Sequence, residues 1–267
     1  MRAAQGGPVG GSSGRSAVCA AQAVLSAASG VALAGVGTAF AGVGSVLGAA
    51  SYRVARMRGT KPLHPTGAVL RGTLRRTGAS SGVAWIDEMG KDEVVVRLSR
   101  GGGLPPHLPD VHGIALRHDE TDVLLSGTGR PPVLRHVLHP TRSPGRGACT
   151  TLVPFRGPRG PVLLAAFPAP ARDLPADWDE VAALLAEDPF RLRLVWSDLW
   201  GPWLEFGELA VGGPLTDRTD EPLRFDPRRT PPGLQTYPWV DALRQPAYAA
   251  ARRGRPTHPS DVHEETP

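Results

Sequence analysis

Short apolar segments of strand length recur from about residue 60 onward, and Gly and Pro separate them. The 267 residues include 33 Gly and 28 Pro, so much of the backbone must lie in turns rather than in long helices. Many short strands with few helices are typical of an antiparallel barrel or sandwich. We therefore predict an α+β protein that is mainly antiparallel β. The strand segments are AVLRGTLRRTG, EVVVRLS, GIALRH, DVLLSG, PVLLAAF, RLRLVW and GELAVGG.

One segment, DWDEVAALLAEDP, has the pattern of an amphipathic helix. An Asp directly before such a segment accepts hydrogen bonds from the first free backbone N–H groups, and either Asp177 or Asp179 can do so. Val181, Leu184 and Leu185 are spaced to form the apolar stripe of this helix.

The N-terminal part of the chain has a different composition. Residues 1–15 are rich in Gly, Ser and Ala and are expected to be disordered. Residues 16–52 contain no charged side chain. This uncharged stretch is longer than the roughly 20 residues that are needed to span a bilayer. We predict an Ala/Gly-rich helical segment over 16–58, which is a membrane-associated helix, a helix packed on the domain, or a signal peptide. Basic residues follow it, so a spanning helix would leave the main domain in the cytoplasm.

The net charge of +5 comes almost entirely from arginine. These arginines do not form long blocks and no motif of basic and aromatic residues accompanies them, so we expect no binding to nucleic acid. Cys19 lies in the low-complexity segment and Cys149 in a loop-like one, and they show neither metal-ligand spacing nor a disulfide framework. We expect a reducing, cytoplasmic location, with attachment at the inner membrane face as the alternative.

The C-terminal part contains Arg244, Tyr248 and Arg255, which share one face if this stretch is helical. An arginine one turn from a tyrosine stabilises the phenolate, and a phenolate is a suitable axial ligand for ferric haem. The alternative is a surface helix with an ordinary Arg and Tyr. His64, near the start of the strand-rich part, is either a loop residue or an acid–base group, and its own neighbours do not decide between them.

The order of these motifs resembles that of catalase-like haem proteins. The resemblance extends over about residues 61–255, and its last element is Arg244-x-x-x-Tyr248 with Arg255 seven residues later. The preceding elements are KPLHPTGAVLRG, VRLS, PDVHGIALRH, DVLLSG and FDPRRTPPGL. The resemblance implies a catalase-like β-barrel with a few flanking helices over residues 59–256, followed by a disordered tail over 257–267.

The resemblance also assigns roles to individual residues around a haem b. It implies His64 as the distal acid–base group, Ser99 as the serine that orients it, and Tyr248 as the iron ligand, with Arg244 beside it. Cations that hold the haem propionates are Arg97 and Arg255, with Lys61 in place of a third arginine.

Two departures from the family pattern affect the expected activity. Ser126 occupies the position of the distal asparagine, and the C-terminal helical domain of large catalases has no counterpart here. We therefore predict a haem peroxidase, or a specialised peroxide-using oxidoreductase, rather than a fast catalase. Its small-molecule partners would be a peroxide and an unidentified reductant or organic substrate. Residues 16–52 would allow association with a membrane.

Two other functions stay open from the residues. One is a membrane-associated haem-binding protein without turnover. The other is a phosphodiesterase, which would need a metal site, although the histidines and carboxylates are not spaced as ligands. The oligomeric state is also open, with a dimer among the alternatives.

Overall fold

The computed structural model describes residues 66–102, 104–105, 108–215, 223 and 225–240. Within these residues a single sheet of nine antiparallel strands forms the centre of the fold. The strands are β1 (Gly67–Arg76), β2 (Gly90–Arg100), β3 (His112–His118), β4 (Thr121–Thr128), β5 (Ala148–Thr150), β6 (Phe155–Gly157), β7 (Gly160–Pro168), β8 (Phe190–Ser197) and β9 (Leu204–Pro214). The mainly antiparallel β prediction is confirmed, and each of the seven strand segments lies on a strand.

The sheet closes on itself as a barrel. Its order is β5-β4-β3-β2-β1-β9-β8-β7-β6, and β5 also pairs with β7, so eight strands form a ring and β6 extends from β7. Cys149 and Thr150 make this closing contact, opposite Ala166 and Ala165. The closure corrects the prediction that Cys149 lies in a loop. Burial raises the pKa of its thiol to about 12.

Side chains alternate between the inside and the outside of the ring. The inner positions are apolar and form one buried cluster, which includes Leu70, Val96, Ile114, Leu164 and Leu209. Gly72 belongs to this inner set, and a Cβ there would lie 2.7 Å and 2.9 Å from methyl carbons of Val96 and Val94. The two valines fill the space beside Gly72, so no larger residue fits at this position.

Two helices pack against the barrel. The short helix α1 (Ala84–Asp87) buries Trp85 and Ile86, and α2 (Trp178–Glu187) packs on β9 and β1. The predicted helix is confirmed, but its buried stripe is Val181, Ala182 and Leu185, because Leu184 faces solvent. Among the described helices, none combines the length and apolar character that crossing a bilayer requires. The predicted segments 1–15, 16–58 and 257–267 lie outside the described residues.

The N-cap of α2 is Asp177, whose carboxylate accepts hydrogen bonds from the backbone N–H groups of Asp179 and Glu180. We expect Asp177→Ala to lower the free energy of unfolding by about 1 kcal/mol, since two N–H groups lose their acceptor. Urea unfolding followed by circular dichroism measures this. Asp179→Ala is the matched control and should cost only a few tenths of a kcal/mol, as expected for a charge near a helix N-terminus. Equal losses from the two variants would contradict the assignment of the cap.

Candidate functional site

The outer face of the barrel carries a row of small and polar residues across four neighbouring strands. In the strand register Gly67 of β1 is opposite Ser99 of β2, Ser99 is opposite Gly113 of β3, and Gly113 is opposite Ser126 of β4. Residues that are directly opposite point to the same face of a sheet. The register therefore places Ser99 and Ser126 on one face, with the side-chain-free Gly113 between them.

The two serines are two strands apart, which corresponds to about 10 Å between their Cα atoms. Ser99 is buried and its hydroxyl donates a long hydrogen bond, 3.4 Å, to the carbonyl oxygen of Gly113. Ser126 is half-buried. The two hydroxyls thus flank Gly113 in the register instead of contacting each other.

Arg97 lies in the next row of the same face. It pairs with Val69 of β1 and Ala115 of β3, and it is buried although it points away from the barrel interior. Its guanidinium lies against Gly67, where a Cβ would be 3.0 Å from Arg97 Cζ and 2.3 Å from the carbonyl oxygen of Leu98. Glycine at position 67 therefore provides the space that the arginine head group occupies.

Burial along the outer face of β2 changes from one end of the strand to the other. Lys91 and Glu93 are exposed, whereas Arg97 and Ser99 are buried. A charged or hydroxyl side chain that is withdrawn from water needs polar partners. The polar and buried part of this face is thus concentrated where β1 begins and β2 ends.

Three predicted site residues are therefore brought together: Arg97, Ser99 and Ser126. The other five lie outside the described residues, and their roles stay predictions: Lys61, His64, Arg244, Tyr248 and Arg255.

A contact that no local sequence pattern indicates attaches the FDPRR segment to this face. Arg117 of β3 donates two hydrogen bonds to Asp122 of β4, 2.7 Å from Nε and 2.8 Å from Nη2. Asp122 Oδ2 also accepts from the backbone N–H of Asp226 at 2.7 Å, and the Arg117 guanidinium lies 4.9 Å from the centre of the Phe225 ring. Because of the bond to Asp122, the pKa of Arg117 is raised.

We call the contact of Arg117, Asp122 and the backbone of Asp226 the clamp. The clamp lies on the same outer face as the serines. Arg117 is opposite Asp122 in the register, and Asp122 precedes Ser126 by four residues on β4. DVLLSG and FDPRR are far apart in the sequence, and neither motif indicates that it contacts the other. The clamp therefore fixes the chain that leads toward Arg244 and Tyr248 against the face that carries Ser126.

His112 is a histidine that points into the barrel from β3. It is buried at an inner position of β3, where its Nε2 lies 3.0 Å from the carbonyl oxygen of Thr141. Burial lowers the pKa of His112; Arg100 contributes to this, while the contact with Thr141 and the charge of Asp110 oppose it. Burial thus disfavours the charged form of the ring, which loses its solvation.

We expect the free energy of unfolding to decrease as the pH falls below about 6.5, because the unfolded chain then binds a proton that folded His112 resists. A single histidine contributes at most about 1.4 kcal/mol per pH unit. Chemical unfolding between neutral and mildly acidic pH measures it. His112→Gln, which keeps a donor for Thr141, should have a smaller acid-side slope. Identical slopes for the two proteins would show that another group is responsible.

No group of three or more His, Cys, Asp or Glu side chains within the described residues is arranged to hold a metal ion. The buried or half-buried histidines of this part have separate partners: His118 accepts from Trp85 Nε1 at 3.0 Å, and His136 Nδ1 lies 2.8 Å from the carbonyl oxygen of Leu152.

The residues present on the outer face are compatible with a planar cofactor that carries carboxylates. Arg97 is a buried cation whose planar fork matches a carboxylate. Gly113 carries no side chain between the two serines, which provide hydroxyl groups on either side of it in the register. Of the residues predicted to hold haem, Arg97 is the member that the structure describes.

No protein-family model matches the sequence, and no curated protein matches it. The fold does match solved structures. A bacterial catalase aligns with a TM-score of 0.57 and 16% identity over 73% of this chain and 57% of its own. A fungal catalase aligns with a TM-score of 0.50 and 14% identity over 77% of this chain and 64% of its own. The chain thus has a catalase-like fold and spans about three fifths of each of these proteins.

Proposed function

We propose that this protein is a haem b-dependent oxidoreductase that uses peroxides, with peroxidase activity exceeding catalase activity. The observation that supports it best is the row on the outer face, because the register of β2, β3 and β4 puts Ser99, Ser126 and the neighbouring Arg97 on one side of the sheet. These three residues come from separate motifs of the catalase-like pattern. Their assembly on one face of a catalase-like barrel is consistent with a shared site.

His64 would be close enough to act at this site. Gly67, which is opposite Ser99, follows His64 by three residues, and three residues of extended chain span at most about 11 Å. A histidine has a pKa near neutrality and can move a proton between the two oxygens of a peroxide. Ser99 would act as an orienting partner of that imidazole.

Bound haem would supply the redox chemistry, and the chain would hold and orient it. Arg97, with Lys61 and Arg255, would neutralise the propionates, and Tyr248 would ligate the iron as a phenolate. Arg244 would keep that phenolate ionised. Ser126 provides a shorter polar arm than the family's asparagine, which leaves room for a water or a larger hydroperoxide.

An absorbance spectrum of the full chain produced with haem supply tests the proposal. We expect a Soret band, together with turnover of hydrogen peroxide or an organic hydroperoxide in the presence of a reductant. Haem-replete protein without this band, and without binding in a haem titration, would refute the proposal. Tight haem binding with no turnover of any peroxide and reductant pair would favour a haem-binding protein instead.

We expect Ser126→Asn to raise the rate of oxygen evolution from hydrogen peroxide by about tenfold, the effect of one additional hydrogen bond in the reaction's transition state. The longer amide would reach a peroxide that the serine hydroxyl does not. An oxygen electrode measures it on haem-loaded protein. Thr121→Asn, at the other end of β4, is the control and should leave the rate unchanged. A wild-type rate that already matches dedicated catalases would contradict this account of Ser126.

A further inference from the structure

The segment between β4 and β5 carries an unusual group of exposed apolar side chains. Val133, Leu134, Val137 and Leu138 lie within six residues of each other, and the ring of Trp200 contacts the neighbouring His136 with 6.0 Å between ring centres. These four and Trp200 are each between 45% and 67% exposed. Single exposed apolar residues are ordinary, but a contiguous group marks a surface that is used for binding. We call these five residues the apolar patch.

The patch stands on a loop that is firmly attached to the barrel. Arg135, between the exposed residues, is fully buried and donates to Ser197 Oγ at 2.9 Å and to the carbonyl oxygen of Gly201 at 3.1 Å. Its guanidinium lies 4.3 Å from the centre of the Trp203 ring. The exposed side chains on either side of Arg135 are thus directed outward by a rigid backbone.

The C-terminal end of the loop is attached to β4 as well. Leu138 forms a bridge with Thr128, and the backbone N–H of His139 donates to the carbonyl oxygen of Gly127 at 2.9 Å. At the N-terminal end of the loop, Trp203 Nε1 donates to the carbonyl oxygen of Arg130 at 2.9 Å. Both ends of the patch are therefore fixed on the outside of the barrel.

The loop over residues 133–138 is flanked by positive charge, although the exposed Asp198 lies beside Trp200 and accepts a hydrogen bond from its backbone N–H at 3.0 Å. The sequence has no Asp or Glu between Asp122 and Asp173, and all the charged residues of that interval are arginines. Arg130 and Arg142, at the two ends of the loop, are exposed, as is His139. The excess of arginine along this loop favours an anionic partner over a cationic one.

We propose that the apolar patch, with Arg130 and Arg142, docks onto the surface of an anionic lipid bilayer. The aliphatic side chains and Trp200 would enter the boundary between headgroups and acyl chains, and the arginines would meet lipid phosphates. The combination of apolar side chains with flanking cations favours a lipid surface over a water-soluble anion, which would leave the apolar group unused. None of these residues belongs to the segment 16–52, and the inference does not depend on haem.

A local label on the full chain tests the proposal. The Val137→Cys variant is made in a Cys19→Ser background and labelled with an environment-sensitive nitrobenzoxadiazole dye. Cys149 does not compete for the reagent, because it is buried and the pKa of its thiol is raised. Vesicles of phosphatidylcholine alone are compared with vesicles containing about a third of phosphatidylglycerol. We expect dye emission to rise several-fold with the anionic vesicles only. The same dye at Met89→Cys, an 80% exposed site that directly precedes β2, should not respond.

Substitutions then test the apolar and the charged part separately by vesicle co-sedimentation. Leu134→Ser and Leu138→Ser should each lower the partition coefficient of the full chain by about tenfold. Arg142→Gln should lower it about fivefold for anionic vesicles. Leu184→Ser, which alters an exposed leucine on α2, is the matched control and should have no effect.

Three results would overturn the proposal. The first is no binding to anionic vesicles. The second is binding during which the dye at position 137 does not respond, because attachment would then occur elsewhere, for example through residues 16–52. The third is a dye response that occurs without vesicles and follows dimer formation in size-exclusion chromatography, because the patch would then contact a second copy of the chain.

Discussion

Replacing His64 by alanine is expected to lower peroxide turnover by about 10²–10⁴-fold while haem stays bound, since a positioned general acid–base group contributes that much. The cations and the phenolate that would hold the cofactor are unchanged in this variant. Steady-state rates with hydrogen peroxide and with an organic hydroperoxide, measured at equal haem content, test the expectation. The loss should appear for both substrates because both need the same proton transfer.

His258→Ala is the control for this experiment, because it removes an imidazole from the segment 257–267 that is predicted to be a tail. It should retain the rate of the wild-type protein. Full activity in the His64→Ala protein would refute the assigned role of His64. A loss of haem in that variant would instead indicate that His64 contributes to cofactor binding.

Replacing Tyr248 by phenylalanine is expected to abolish the ferric spectrum of the wild-type protein. Phenylalanine keeps the ring but offers no oxygen to the iron, so haem should be lost or should take another ligand with a different spectrum. The haem-to-protein ratio after gel filtration and the absorbance spectrum measure this. The related variant Arg244→Ala should retain haem but raise its reduction potential, because the phenolate loses its neighbouring cation.

Tyr237→Phe provides the matched control. Tyr237 is a described tyrosine whose ring stacks on Trp239 with 6.3 Å between ring centres, and burial raises the pKa of its phenol. Removal of its hydroxyl should leave the haem spectrum unchanged. An unchanged ferric spectrum in the Tyr248→Phe protein would contradict its assignment as the iron ligand.

Most of the secondary structure was predictable from sequence because the signals are local. Short apolar segments of strand length identified β1, β2, β3 and β4, and turn-forming Gly and Pro separated them. The helix α2 was predicted for the same reason. The short strands β5 and β6 and the helix α1 were not predicted, since three or four residues are too few to show a period.

Distinctions within an element were decided by packing. The sequence allowed either Asp177 or Asp179 as the cap of α2, and backbone geometry selected Asp177. It placed Leu184 in the buried stripe, but the position of α2 against β9 buries Ala182 instead. His112 is polar, yet its register on β3 directs it to the inside of the barrel, which its residue type does not indicate.

The sequence by itself determined the strand-rich class, the helix over 178–187 and the order of motifs that resembles catalase-like haem proteins. Only the tertiary structure decided that β5 closes the barrel on β7, that Ser99 and Ser126 face the same side, and that Asp122 holds the segment of Asp226. The physical reason is the range of the interactions. Periodicity and capping act between residues a few positions apart, whereas register and closure join residues whose separation in sequence leaves no local pattern.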